Sequence, residues 1–105
     1  MHKEDKIIQE IRQRLIQHFG EALHELWLFG SRSRGDNDIY SDYDLLVVVD
    51  GKIKEVKKVV QEVEWLCMEK YEVLVSSIVY TPGIWEKAKN SPLGINIQKD
   101  GFKVA

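Results

Sequence analysis

Two pairs of residues in this chain are of the types that bind phosphate and metal ions. Gly30 and Ser31 end one apolar run, and after ten intervening residues Asp42 and Asp44 begin another. Residues two apart in a strand face the same side, so the carboxylates should project together, with Cβ atoms roughly 6 to 7 Å apart, while Tyr43 points the other way. Two such carboxylates can share one or two hard cations with a substrate phosphate.

The first pair has the properties of a phosphate-binding turn. Gly30 lets the backbone approach a ligand closely, and Ser31 offers an N–H and a hydroxyl at the start of a helical turn, where unpaired amides favour anions. Arg32 or Arg34 can neutralise further phosphate charge. Each pair alone is more often a structural turn or a solvated strand start. Joined by a loop of fixed length, the two pairs indicate a site for a nucleoside triphosphate.

Three competing motifs do not fit this stretch. Gly30 and Gly35 match the first half of a P-loop, but Asp36 and Asn37 stand where its Lys and Ser or Thr are required. A calcium loop beginning at Asp36 lacks the Gly and the Glu that such loops need. No Gly-x-Gly-x-x-Gly sequence is present. The nucleotide interpretation therefore depends on the spacing of the two pairs.

Helices and strands that alternate along the chain must position these residues. Hydrophobic periodicity and cap signals predict helices at 5–19, 52–68 and 82–89, and strands at 24–29, 42–49, 71–80 and 102–104. Over 92–101 the cap signal Ser91-Pro92 favours a further helix, whereas Leu93, Ile95 and Ile97 alternate as in a strand. The apolar run Leu45 to Val49 is typical of a central strand covered by helices on both sides. The order predicts an α/β (α+β) fold with a small mixed sheet and helices packed on it.

Composition limits the classes of protein to which the chain can belong. Its 105 residues, 44% apolar and 30% charged, predict a single domain over 1–105. A net charge of −2, with no basic run longer than Lys57-Lys58, disfavours nucleic acid as a partner. The single Cys67, the absence of a signal-peptide pattern and the lack of a long apolar run predict a cytoplasmic protein without membrane contact.

A longer motif contains both pairs. It consists of Gly30-Ser31, ten residues that include Arg34-Gly35-Asp36 and end in Ser41, and then Asp42-x-Asp44. Over about Leu28 to Val49 this motif resembles the signature of minimal nucleotidyltransferases in the polymerase-beta-like superfamily. The tail Ile97-Gln-Lys-Asp-Gly101 also resembles the Ile-x-x-acid-Gly ending of these small proteins. The resemblance implies the nucleotidyltransferase fold.

The resemblance also implies roles for individual residues. The nucleotide site would take ATP with Mg²⁺, and two ions are expected. The nucleotide-binding residues would be Gly30, Ser31, Arg32, Arg34 and Ser41. Asp42 and Asp44 would be catalytic and would bind the metal. Larger members add a third acid, commonly Asp, on a neighbouring strand, and the only acid in the third predicted strand is Glu72. Glu72 is therefore the candidate to complete the catalytic and metal-binding set, and a solvated residue at the strand edge is the alternative role.

Small members with this signature resemble the antitoxins of toxin–antitoxin pairs. That resemblance implies transfer of a nucleoside monophosphate, AMP from ATP, to a hydroxyl of a helical partner protein, a HEPN-type toxin. A second interpretation is a nucleotide-binding module that neutralises or scaffolds such a partner by contact, with weak turnover or none. A third is transfer to a small molecule or an RNA end, which the acidic pI disfavours.

Overall fold

A computed structural model describes residues 5–30 and 42–105. Its elements in chain order are α1 (Lys6–Phe19), a 3₁₀ turn (Gly20–Ala22), β1 (Leu23–Phe29), β2 (Tyr43–Val49), α2 (Ile53–Tyr71), β3 (Val75–Tyr80), α3 (Pro82–Ala88), α4 (Pro92–Asp100) and β4 (Phe102–Lys103). The predicted alternation of helices and strands is confirmed. The third strand was predicted to start at Tyr71 and instead starts at Val75, because α2 continues three residues beyond its predicted end at Met68.

The four strands form one mixed sheet in the order β3-β2-β1-β4. The central strand β2 runs antiparallel to β1 and parallel to β3, and β1 pairs antiparallel with β4. Five consecutive residues of β2, from Leu45 to Val49, are each 1% exposed or less. The prediction of a central strand covered on both faces is therefore confirmed.

Helices α1 and α2 cover the face of the sheet to which Tyr43 points. The buried residues of this cluster include Ile8, Ile11 and Leu15 from α1, Val56, Val60 and Cys67 from α2, and Leu26, Leu28, Leu45 and Val47 from the sheet. Asp5 caps α1 by accepting hydrogen bonds from the N–H groups of Ile7 and Ile8. The Tyr43 hydroxyl donates to the same carboxylate, 3.0 Å from Asp5 Oδ2. Tyr43 thus joins β2 to α1 on the side opposite to Asp44.

Helices α3 and α4 cover the opposite face. Trp85 and Ile97 are 3% and 1% exposed and pack against Leu46 and Val48 of β2. Each helix begins as its sequence predicts: the side chains of Thr81 and Ser91 accept the capping hydrogen bonds, and a proline follows each cap. Asp44, Leu46 and Val48 alternate on this face, so the cluster under α3 and α4 lies next to Asp44.

The tail resembling Ile-x-x-acid-Gly fixes the end of α4 to β1. A Cβ atom at Gly101 would lie 2.3 Å from the carbonyl oxygen of Ile97 and 3.2 Å from that of Leu28, so only glycine allows this approach. The next residue, Phe102, pairs with Leu28 in the β1–β4 register. The tail therefore places Asp100 beside the end of β1, where Gly30 follows.

Helix α2 carries many Lys and Glu residues between its buried positions. Its buried residues are Val56, Val60 and Cys67 over a length of 19 residues. Within 5–30 and 42–105, no helix has the length and the apolar character needed to cross a membrane.

A cluster of charged and polar side chains joins α1 to the last turn of α2. The Glu10 carboxylate accepts hydrogen bonds from Arg14 and Lys70, each at 2.9 Å, and from the Tyr71 hydroxyl. These three donors, the Lys70 ammonium first, lower the pKa of Glu10 to about 2. The contact gives a reason why α2 continues to Tyr71 instead of ending at Met68.

Replacing Glu10 by Gln is expected to lower the melting temperature at pH 7. A carboxylate with a lowered folded-state pKa stabilises the fold above its unfolded-state pKa of roughly 4.3. That contribution is lost as pH falls towards the folded-state pKa of about 2. The difference between wild type and Glu10→Gln should therefore shrink between these two pH values in thermal unfolding followed by circular dichroism. A matched Glu69→Gln variant changes an exposed carboxylate on α2 and should show a smaller difference at pH 7.

Candidate active site

Asp42 and Asp44 lie at the start of the central strand, on the face that α3 and α4 cover. Asp44 is the second residue of β2 and partly buried, while Asp42 immediately precedes the strand and is exposed. Burial of Asp44, and secondly the negative charge of Asp42, raise the pKa of the Asp44 carboxyl. The two carboxyl groups are thus close enough to interact, and a bound cation would offset their repulsion.

Gly30 lies directly against the Asp44 carboxylate. Phe29 and Asp44 are partners in the antiparallel register of β1 and β2, so the residue after Phe29 reaches the start of β2. Gly30 has φ +79°, and a Cβ atom there would lie 2.5 Å from Asp44 Oδ2. Any side chain would displace the carboxylate or the turn. The structure therefore brings one residue of the predicted phosphate-binding turn against one residue of the predicted metal-binding pair.

The other predicted nucleotide-binding residues are Ser31, Arg32, Arg34 and Ser41. They lie outside the residues that the structure describes. Their roles stay predictions.

Glu72 lies at the end of α2 and not within a strand, so its prediction as a strand residue was wrong. It has φ 56° and ψ 38°, and its N–H donates to the carbonyl oxygen of Met68, as at a left-handed helix end. Its side chain is exposed. Among residues 5–30 and 42–105, no three His, Cys, Asp or Glu side chains gather closely enough to hold a metal ion. The role of Glu72 as third metal ligand stays a prediction, and the position of Glu72 at the end of α2 does not support it.

Ser76 is a residue of the site that the sequence analysis missed. It is the partner of Asp44 in the parallel register of β2 and β3, and it is exposed. The Tyr43 N–H donates to the carbonyl oxygen of Leu74 at 2.9 Å, which fixes this register. Neighbouring strands lie about 4.8 Å apart, so Ser76 is the β3 side chain beside Asp44. The polar pair Ser76-Ser77 within an apolar strand was the available signal.

The sequence matches a family described as "Nucleotidyltransferase domain" over residues 8–104. Two proteins of Methanocaldococcus jannaschii, each named as a candidate protein adenylyltransferase, are similar to the chain. One is 34% identical over 77 residues, which cover 71% of this chain and 77% of the relative. The other is 33% identical over 103 residues, which cover 95% of this chain and 69% of the relative.

Solved structures have the same fold. A crystal structure of a candidate nucleotidyltransferase from Sulfolobus solfataricus matches with a TM-score of 0.63 and 25% identity, over 93% of this chain and 76% of the other. A toxin–antitoxin crystallised with AMP-PNP matches with a TM-score of 0.66 and 18% identity, over 92% of this chain and 72% of the other. At that lower identity the match concerns the fold alone.

Proposed function

The chain belongs to the nucleotidyltransferase domain family, and from this premise we propose that it transfers AMP from ATP to a hydroxyl of a partner protein, as the antitoxin of a toxin–antitoxin pair. The observation that carries the proposal is the contact between Gly30 and the Asp44 carboxylate, since Gly30 belongs to the predicted phosphate-binding turn and Asp44 to the predicted metal-binding pair. The names of the Methanocaldococcus relatives support a protein as acceptor. The toxin–antitoxin crystallised with AMP-PNP supports the choice of partner and nucleotide.

The carboxylates of Asp42 and Asp44 are suited to hold divalent cations. They supply oxygen ligands, which Mg²⁺ prefers, and the bare backbone at Gly30 lets phosphate oxygens approach the same point. When bound, a pair of Mg²⁺ ions would lower the barrier by stabilising charge on the attacking and leaving oxygens. Asp44 is held in place by its strand and by Gly30, whereas Asp42 is exposed and can adjust to the substrate.

The proposed reaction is a displacement at the α-phosphorus of ATP. The acceptor oxygen forms a bond to that phosphorus, and the bond to the bridging oxygen of the β-phosphate breaks. AMP is then esterified to the acceptor, and pyrophosphate leaves with the electron pair. The hydroxyl proton passes to a base, and a substrate or partner group must serve as that base if Glu72 does not complete the site. Positioning and electrostatic stabilisation account for most of the catalysis in such transfers.

The acceptor is proposed to be a helical toxin of the HEPN type. The face around Asp42 is suited to this because Asp42 and the neighbouring Leu74 are both exposed, Leu74 by 55%. An acceptor side chain can therefore reach the carboxylate pair from solvent.

The test is transfer of label from ATP to the protein encoded beside this one. With Mg²⁺ present, label on the α-phosphate should appear on the partner, and label on the γ-phosphate should appear only in pyrophosphate. Label from the γ-phosphate on the partner would contradict nucleotidyl transfer and indicate phosphoryl transfer instead. Mass spectrometry of the labelled partner identifies the modified hydroxyl.

The same assay decides the role of Glu72. If Glu72 is the base or a metal ligand, Glu72→Gln should lose transfer and keep ATP binding. Equal turnover in Glu72→Gln and wild type would show that Glu72 has no role in the transfer reaction. Glu69→Gln is the matched control, because it changes an exposed carboxylate three residues earlier.

A second candidate function is neutralisation of the partner by contact, with weak transfer or none. It is favoured by one observation: within the described parts of the chain, no third acid joins Asp42 and Asp44. Under this alternative, the partner should form a stable complex with the chain, carry no label and remain inhibited when Asp42 is replaced by Asn.

A further inference from the structure

A cavity of about 270 Å³ opens beside Gly30, between the end of β1 and helix α4. We propose that it receives the nucleoside part of a ribonucleoside triphosphate, with Asn96 recognising the base and Asp100 the ribose. The proposal rests on the proposed function, since it assigns the rest of the same substrate. The cavity is lined by Phe29, Gly30, Leu93, Asn96, Ile97 and Asp100.

The cavity lies next to the predicted metal-binding carboxylates. Gly30 is one of its walls and also lies against the Asp44 carboxylate, so the cavity and the carboxylate pair meet at one residue. Phe29, a second wall, is the register partner of Asp44. A triphosphate held at Gly30 and Asp44 therefore has its nucleoside within reach of this cavity. Three larger cavities, of about 420, 480 and 300 Å³, are lined by residues of α1, of α2 and near the ends of β3 and β4, and none of these three includes Gly30 or Asp44.

The size of the cavity fits part of a nucleotide. Sites for whole small-molecule ligands occupy about 300 to 1,000 Å³ and are mostly apolar, with a few convergent polar groups. At about 270 Å³ this cavity is just below that range, as expected for a site that receives a nucleoside while the triphosphate lies outside it at Gly30.

The lining offers an apolar surface and one amide for a base. Phe29, Leu93 and Ile97 provide aromatic and aliphatic surface, on which the flat face of a base can pack. The Asn96 side chain has both a donor and an acceptor, and this combination matches the N6 and N7 edge of adenine. A purine with an amino group at that edge is therefore favoured over one with a carbonyl group, which makes ATP the preferred substrate over GTP.

Asp100 is placed to accept hydrogen bonds from ribose hydroxyls. A carboxylate is an acceptor with about four lone-pair positions, so it can accept from more than one donor at once. Acidic residues bind the ribose 2′-hydroxyl in the same way in dinucleotide-binding folds. The close approach of Gly101 to Leu28 holds Asp100 at this wall. The acid of the Ile-x-x-acid-Gly tail thereby acquires a role in substrate selection.

Calorimetric binding to the 105-residue chain, in the presence of Mg²⁺, tests the proposal with four probes: ATP, 2′-deoxyATP, GTP and inorganic tripolyphosphate. Asp100→Asn should lower the affinity for ATP about tenfold, as expected for loss of a charged hydrogen bond. It should also abolish the preference for ATP over 2′-deoxyATP. Asn96→Ala should reduce the preference for ATP over GTP. Both variants should bind tripolyphosphate as wild type does, because this probe lacks the nucleoside.

Two matched controls remove similar groups outside the cavity. Glu86→Gln removes a carboxylate from α3, and Asn90→Ala removes an exposed amide between α3 and α4. Both should bind all four probes as wild type does. The proposal is overturned if Asp100→Asn lowers the affinities for ATP and tripolyphosphate equally. It is also overturned if Asp100→Asn and Asn96→Ala both bind ATP with wild-type affinity and selectivity.

A further variant separates this proposal from the proposed function. If only the cavity assignment is wrong, Mg²⁺-dependent binding of ATP and tripolyphosphate should be present in wild type and lost in Asp42→Asn, while Asp100→Asn and Asn96→Ala bind normally. If the nucleotide site on which the proposed function depends is wrong, wild type should lack Mg²⁺-dependent binding of tripolyphosphate, and Asp42→Asn should change nothing. The second result overturns both proposals.

Discussion

Replacing Asp44 by Asn is expected to abolish nucleotide transfer and to leave the fold intact. Asn has the same shape, so β2 and its contact with Gly30 can persist, but one of the two proposed metal ligands loses its charge. Even the loss of a group that only supports a metal ligand typically costs 10- to 100-fold in affinity or activity. Loss of the ligand itself should therefore lower the transfer rate by more than about a hundredfold.

The stability of the protein without metal should respond in the opposite direction. Asp44 is a partly buried carboxylate beside the negative charge of Asp42, so a neutral side chain removes an unfavourable burial and a repulsion. Thermal unfolding without Mg²⁺ should give Asp44→Asn a melting temperature at or above that of wild type. Mg²⁺ and ATP are expected to raise the melting temperature of wild type but not that of Asp44→Asn, because a ligand stabilises the fold only when it binds the folded chain.

Asp50→Asn is the matched control for Asp44→Asn. Asp50 follows the other end of β2 and is exposed, so this change should alter neither transfer nor the response to Mg²⁺. A transfer rate in Asp44→Asn within tenfold of wild type would contradict a metal role for Asp44. A large fall in its melting temperature without Mg²⁺ would mean that the carboxylate has a structural role instead.

Periodicity predicted the elements that bury apolar residues, because burial acts on every residue of an element. The alternation in β2 placed Tyr43 on the face opposite to Asp44, and the structure has it hydrogen-bonded to Asp5 there. The cap signals at Thr81 and Ser91 predicted the starts of α3 and α4, because capping is local to four residues. These predictions needed no knowledge of contacts between distant parts of the chain.

The errors arose where distant contacts decide the structure. Helix α2 continues to Tyr71, where Lys70 and Tyr71 bond Glu10 on α1, and these partners are 60 and 61 residues apart. That extension removed Glu72 from the third strand. Ser76 was missed for the same reason, because its place beside Asp44 depends on the register between two strands. The spacing of the signature could suggest that Gly30 and Asp44 meet. Only the folded backbone shows that a Cβ atom at Gly30 would lie 2.5 Å from Asp44 Oδ2.

Replacing Gly30 by Ala is expected to abolish transfer through its effect on Asp44. The new Cβ would lie 2.5 Å from Asp44 Oδ2, so the carboxylate must move away from the turn. The backbone at φ +79° also disfavours any side chain, at a cost of the order of 1–3 kcal/mol in stability. Mg²⁺-dependent ATP binding, measured by calorimetry, should weaken by more than about tenfold, because metal ligands tolerate only small displacements.

Gly20→Ala separates the effect of backbone strain from the effect of the clash with Asp44. Gly20 has φ +54°, but a Cβ there would meet nothing within 4 Å, so this variant has backbone strain without a clash. It should lose stability and keep full ATP binding and transfer. A double variant, Gly30→Ala with Asp44→Ser, completes the test, since the shorter Ser side chain removes the clashing oxygen. Gly30→Ala should cost less stability in the Asp44→Ser background than in wild type, and equal costs would mean that Gly30 and Asp44 are not coupled.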